Sequence, residues 1–140
     1  MIVVNAPDFV SFSDVDLLRV VTTGGQRPNL LVDCTNGASE EVIEQLRVLC
    51  GPPVHRCRVP GPLDLPAGGF GTLLVHDVAA LTIRQQVELS DWIQRQRGAI
   101  QVISIAQRPI APLVRDGRFL EGLFYRLNTI SITATHERHS

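Results

Sequence analysis

The pair His76-Asp77 closes the apolar run Leu73-Leu74-Val75. An imidazole beside a carboxylate at a strand's carboxyl end could work as a general acid–base dyad, because α/β sheets bind their ligands there. The plainer reading is a pair solvated or hydrogen-bonded locally. Cys50, His55 and Cys57, with Cys34 apart, form a second group. Thiolate and imidazole suit zinc, but the C-x4-H-x-C spacing fits no zinc module, and cysteines also serve as small buried hydrophobes. No metal is expected, and His136 and His139 near the end read as solvated. Arg115, Arg118 and Arg126 form a third group, suited to a phosphate or carboxylate partner or simply to surface charge. The chain has no lysine; all 13 basic residues are arginine. Schiff-base chemistry, a lysine general base and a phosphate-loop lysine are therefore excluded.

Strands and helices must position these groups. Ile2-Val3-Val4, Leu30-Leu31-Val32, Leu73-Leu74-Val75, Val102 to Ile105 and Ile130 to Thr133 are short β-branched or leucine runs. Polar only at their ends, they read as strands buried on both faces. Helical patterns lie between them. Ser13 with Asp16 is placed to cap a segment carrying Val15, Leu18 and Val21. Val42, Ile43, Leu46 and Leu49 recur at helical spacing, behind Glu40 and Glu41. Thr82 with Gln85 forms a capping box for a helix with Ile83, Val87 and Ile93 inward, stopped at Gly98. Phe119, Leu120, Leu123, Phe124 and Leu127 make the last amphipathic helix. The alternation predicts a three-layer α/β/α fold with a mainly parallel sheet of about five strands. Gly51 to Gly71, rich in proline and glycine, reads as a long loop with a short extended piece at Val54 to Val59. It suits a docking segment and a rigid closure equally well.

With 140 residues, 44% of them hydrophobic, and a net charge of −1, the chain fits one globular domain. Residues 1–135 are read as that domain and 136–140 as a frayed tail. The charge gives no electrostatic case for nucleic acid or an anionic membrane. No apolar stretch reaches the roughly 18 residues of a membrane span. The N-terminus lacks a basic n-region, and three cysteines form no disulfide framework. A cytoplasmic location is expected.

Gly71-Thr72-Leu73-Leu74-Val75-His76-Asp77-Val78 resembles the Walker B strand of NtrC-type enhancer-binding proteins, the bacterial AAA+ activators of sigma-54 RNA polymerase, which reads GTLFLDEI. Arg115 to Asn128 resembles that family's REGRFREDLYYRLN. Ile103 to Arg108 resembles its sensor strand, and Asn29 to Thr35 with Glu40 to Ile43 the strand and helix after its phosphate-loop helix. The resemblance spans residues 29–132, and 1–28 weakly. It implies the large AAA+ subdomain as fold.

The departures from the family carry the functional expectation. After the first strand the chain reads Asn5-Ala6-Pro7-Asp8-Phe9-Val10-Ser11-Phe12-Ser13-Asp14, without glycine and with Asp14 in the lysine slot. A carboxylate there repels phosphate by about 1–4 kcal/mol per close charge pair. In Walker B, His76 takes the magnesium-binding position, where imidazole is a poor ligand for a hard cation. Asp77 takes the position of the water-polarising glutamate. Gln107 holds the sensor position, Leu120 replaces the first trans-acting arginine, and Arg126 matches the second. Pro52 to Cys57 stands where the sigma-contacting GAFTGA loop is expected. These departures imply a non-catalytic regulatory or interaction module, a pseudo-ATPase acting through AAA+ subunit contacts on the Arg115–Asn128 face. Its partner would be itself or another activator subunit. A sigma-factor contact is implied by the resemblance alone, and no direct DNA binding is expected. The competing reading is a residual nucleotide-binding or weak ATPase domain using ATP and magnesium, with Asp77 as base.

Overall fold

The computed structural model describes residues 2–5, 27–35, 44, 46–48 and 50–134. Six strands form one sheet: β1 (Ile2–Asn5), β2 (Leu30–Asp33), β3 (Val54–Arg58), β4 (Gly71–His76), β5 (Ile100–Ala106) and β6 (Ile130–Ala134). Their order is β1-β6-β2-β5-β4-β3. The five strands from β6 to β3 are parallel. β1 is different: it pairs antiparallel with β6 at the sheet edge. The first apolar run is therefore an edge strand, and the second, Leu30 to Asp33, takes the middle of the parallel sheet.

β4 and β5 are buried along their whole length, which explains their unbroken apolar character. Alternate residues feed two cores. On the first face Leu31, Leu73, Val75 and Val102 meet helix α1 (Ile83–Gln96) and the short helices α2 (Ala111–Arg115) and α3 (Glu121–Leu127). On the second face Leu30, Val32, Leu74, Ile103 and Ile105 enclose Leu46, which sits in helical residues 46–48. The chain leaves β2 by the second face and returns from β3 to β6 by the first, as a constant crossover hand requires.

α1 begins at the expected capping box: Gln85 N–H donates to Thr82 Oγ1 at 3.1 Å and Thr82 N–H to Gln85 Oε1 at 3.1 Å. It ends at Arg97 and Gly98, both with positive φ, the left-handed termination that glycine favours. Of the residues expected inward, Ile93 packs against the first core, but Ile83 and Val87 do not lie inward. Ile83 and Val87 are 47% and 45% exposed, and the buried residues are Gln86, Leu89 and Trp92. The helix is rotated so that Gln86 can reach backbone groups of the α2–α3 turn. α2 was not foreseen; it is five residues long, with proline near its start.

In the Pro- and Gly-rich segment the expected extended piece at Val54 to Val59 is a strand of the sheet. Val54–Arg58 is edge strand β3, with Cys57 buried, so Pro52 to Cys57 is not a free loop. Residues 59–70 then connect β3 to β4 without a helix. This connection packs on α1: Gln85 Nε2 donates to Gly61 O at 2.8 Å and Trp92 Nε1 to Pro66 O at 2.7 Å. Leu63 and Leu65 rest against the first core. At its end, Thr72 N–H donates to Pro53 O at 3.0 Å. Gly71, at φ 113°, lies so close that any Cβ would collide with the Pro53 carbonyl, so only glycine fits there.

The helix expected behind Ser13, the residues Glu40 to Ile43 and Leu49, and the tail with His136 and His139 lie outside the described residues.

Candidate functional site

The carboxyl ends of the parallel strands form the floor of the candidate site. β2 and β5 are neighbours, yet the chain leaves them toward opposite faces. Such a switch opens a crevice at the strand ends, where open α/β sheets bind ligands. Cys34 N–H donates to Ala106 O at 2.8 Å, joining the two exits. Asp33 Oδ1 accepts the Thr35 N–H at 2.9 Å and begins the turn after β2. Beside this exit, Asp33, Arg108, Phe124, Asn128 and Ser131 line a cavity of about 210 Å³ on the first face.

His76 ends β4, and Asp77 follows it as the cap of a short 3-10 turn, Val78–Ala80. His76 is buried on the second face, in phase with Thr72 and Leu74. Asp77 has φ 55° and ψ 55°, a left-handed backbone uncommon for any residue but glycine, with asparagine and aspartate the usual exceptions. Its Oδ1 is buried and has no hydrogen-bond partner among the described residues. Gln107, just past β5, is exposed. Arg108 leans back and donates to Ala79 O at 3.4 Å.

The expected phosphate loop, Ala6 to Asp14, lies outside the described residues. The strand it follows is the antiparallel edge strand β1. The strand that ends in the crevice is β2.

The arginines are arranged along one segment. Arg115 ends α2, Arg118 lies in the α2–α3 turn, and Arg126 is in the last turn of α3; all three are exposed. The ion pairs among the described residues are Arg47–Glu44 and Arg84–Glu88, and neither involves this group. The segment's backbone is pinned at both ends. Gln86, 1% exposed, donates Nε2 to Arg118 O at 3.0 Å and to Leu81 O at 3.1 Å, and its Oε1 accepts the Leu120 N–H at 2.8 Å. At the other end Asn29 Nδ2 donates to Arg126 O at 2.9 Å. Sequence reasoning missed Gln86. Its signal was a polar residue in phase with Leu89 and Trp92.

The cysteines do not converge. Cys57 lies in the first core and donates Sγ to Asp64 O at 3.3 Å, while Cys34 and Cys50 lie in the second. The sheet stands between them. Burial pushes the Cys34 thiol up to about 11, with Asp33 adding to the rise. Burial likewise pushes Cys50 up to about 11 and raises Cys57. Raised thiol values keep the nucleophilic thiolate scarce near neutrality. Iodoacetamide should therefore label Cys34 and Cys50 of the folded chain slowly, with rates climbing only as the pH passes 9 toward 11. Free-thiol rates at neutral pH in the folded chain would contradict this.

Residues 65–136 match the family described as the sigma-54 interaction domain. The chain is 30% identical over 73 residues to the transcriptional regulatory protein FlbD of Caulobacter vibrioides, spanning 16% of that protein. Among solved structures, NtrX from Brucella abortus in complex with ATP superposes with TM-score 0.63 at 16% identity, covering 91% of this chain and 38% of that one. The P-loop NTPase domain of the sigma-54 transport activator from E. coli gives TM-score 0.53 at 18% identity, covering 84% of this chain and 96% of that domain. At these identities the structural likenesses speak for the fold.

Proposed function

Because the chain belongs to the sigma-54 interaction domain family, we propose that it is a non-catalytic member, a regulatory or interaction module that contacts another AAA+ subunit through its Arg115–Asn128 face. The observation that carries this reading is the chemistry of the crevice. A phosphate loop runs from a strand through G-x-x-x-x-G-K into a helix. The strand at the crevice is β2, and the residues after it are Cys34-Thr35-Asn36-Gly37-Ala38-Ser39-Glu40. Cys34 and Ser39 fall on the two glycines, and Glu40 on the lysine. This register replaces the one that put Asp14 in that slot, and it keeps the same sign of charge. The segment from Asn29 to Ile43 then corresponds to the phosphate-loop strand and helix themselves.

The residues present do not fit magnesium and ATP. A glutamate stands in the lysine slot, the buried imidazole of His76 stands where a hard cation needs oxygen, and the chain has no lysine to supply from elsewhere. We derive no hydrolytic step. The partner-facing side is better equipped. Three exposed arginines lie on one segment, with Gln86 and Asn29 bonded to its backbone at Arg118, Leu120 and Arg126, and exposed guanidinium groups suit carboxylate or phosphate.

Titration calorimetry with ATP and ADP, with and without magnesium, should show no binding heat up to millimolar ligand. Arg126→Ala should weaken co-sedimentation with an ATP-competent activator subunit by about tenfold or more, the loss expected of an interface arginine. Micromolar nucleotide binding, or a partner contact that Arg126→Ala leaves unchanged, would overturn the reading.

The Asp77 Oδ1, buried without a partner among the described residues, and the left-handed Asp77 backbone favour one second reading. A residue held this way at a strand end is a common mark of a working site, so a residual nucleotide site would use Asp77 first. The same calorimetry decides between the two.

A further inference from the structure

We infer that the outer edge of β3 docks an extended acidic segment of a partner protein, taken up as an added antiparallel strand. Among the described residues β3 is the last strand on its side of the sheet, so half of its backbone groups meet no neighbouring strand. The bonds at its two ends show which half. Pro53 O accepts the Thr72 N–H at 3.0 Å, and Val59 N–H donates to His76 O at 3.2 Å. Backbone groups alternate in direction along a strand, so those of His55 and Cys57 also face β4. The N–H and C=O of Val54, Arg56 and Arg58 therefore point away from the sheet. Pro52 and Pro53 precede the strand and Pro60 follows it. Lacking an N–H, they confine the usable edge to the five residues of β3. That is short for a chain of identical copies and sufficient for a short peptide segment.

The occupant follows from charge. Val54 packs on the second core, so Arg56 and Arg58, in phase with it, lie on the second face. Both are exposed. The ion pairs among the described residues, Arg47–Glu44 and Arg84–Glu88, include neither. Arg27 adds a positive charge nearby, since it and Arg56 both stand close enough to Cys50 to act on its thiol. Asp64 meets β3 from the other face, where its carbonyl accepts from Cys57 Sγ in the first core. Two guanidinium groups without carboxylate partners thus recur at every second residue, roughly 6.5–7 Å apart along the strand. Carboxylates on alternate residues of an extended chain have the same spacing. In the antiparallel sense each acidic residue lies opposite an arginine and exchanges both backbone bonds with it, so the ladder and the charges select one register. A second copy is a poor occupant. Pairing β3 with β3 along its whole length sets Arg56 against Arg56, and like charges directly opposite are destabilising. The edge is separate from the Arg115–Asn128 face, so it stands or falls apart from the proposed subunit contact.

The probe is the capped peptide acetyl-Thr-Glu-Val-Glu-Thr-amide, and the readout is residue-resolved amide hydrogen exchange. In the free chain the N–H groups of Val54, Arg56 and Arg58 should exchange fast, while those of His55 and Cys57 are protected. Millimolar peptide should slow the three outward amides by about tenfold or more and leave the inward ones as they were. The double variant Arg56→Glu, Arg58→Glu should weaken binding by about thirtyfold or more without moving the melting temperature, because both side chains are exposed. It should instead take the same peptide with lysines in place of the glutamates. The peptide N-methylated at both glutamates keeps its charge, loses its donors to the edge and should not bind. Arg126→Ala should leave binding unchanged. Outward amides that the peptide fails to protect would overturn the inference and leave the arginines as guards of the edge. Binding that survives N-methylation or charge reversal, or that Arg126→Ala abolishes, would overturn it too. So would protection of the same amides that rises with protein concentration alone, which would make a second copy the occupant.

Discussion

Gln86→Leu is expected to destabilise the fold by about 3 kcal/mol and to lower the melting temperature by about 10 °C. Leucine keeps most of the volume, so the loss is polar. Gln86 is buried and serves three backbone groups: the carbonyls of Leu81 and Arg118 and the N–H of Leu120. Each buried group left without a partner costs roughly 1–3 kcal/mol. Water can reach part of this site, because two of the three bonds are only partly buried, which sets the total at the low end of the roughly 3–9 kcal/mol that three such groups could cost. Gln86→Glu adds a second test. It keeps the acceptor for Leu120 but, when ionised, sets a carboxylate against two carbonyl oxygens. That variant should be least stable at neutral pH and recover as acid neutralises it. Thermal melts of both variants check the claim, and a loss below about 1 kcal/mol for Gln86→Leu would show that the turn holds itself. The effect reaches function through Arg118, whose carbonyl is one of the groups held. With the turn released, both variants should also bind an activator subunit less well.

Much of this fold was legible because strand burial and helix capping leave local marks. The runs at Leu30, Leu73, Val102 and Ile130 became β2, β4, β5 and β6 at those places, and the Thr82–Gln85 box opens α1. The phase of α1 was read from the β-branched residues Ile83 and Val87, which lie partly in water. What rotated the helix was Gln86, whose partners lie 32 and 34 residues away from it and leave no local trace. β3 showed only as a short extended piece at Val54 to Val59, because the prolines at its ends, which an edge strand tolerates, read as loop. The largest shift concerns the site. Ile2 to Val4 was read as the strand before the phosphate loop, and Leu30 to Val32 as the strand after its helix. Nothing local separates them, because position in a sheet is decided by partners far along the chain. Pairing of β2 with both β5 and β6 puts it in the middle, and antiparallel pairing puts β1 at the edge. The arginine segment fared better. Its stretch from Arg115 to Asn128 is contiguous, so it needed no long-range pairing to be recognised.

The triple variant Cys34→Gly, Ser39→Gly, Glu40→Lys is expected to gain ATP affinity by at least about a hundredfold, bringing it from undetectable into the sub-millimolar range. A close carboxylate–phosphate pair is unfavourable by about 1–4 kcal/mol near a surface, and a lysine there is favourable by a similar amount. The swing of roughly 2–8 kcal/mol corresponds to at least about thirtyfold. Glycines at 34 and 39 add to it by freeing the backbone for the left-handed turns that aim amides at phosphate. Glu40→Lys alone should gain less, because the charge would arrive without the cradle. Hydrolysis should stay absent in every case, since His76 still stands in the cation's place. The decisive control is Asp14→Lys. It makes the same charge reversal in the segment after β1, an edge strand antiparallel to its neighbour, and should leave affinity unchanged. Calorimetry on the wild type and the three variants separates the two registers. A gain from Asp14→Lys that the triple variant lacks would return the phosphate loop to residues 6–14 and remove β2 from the site.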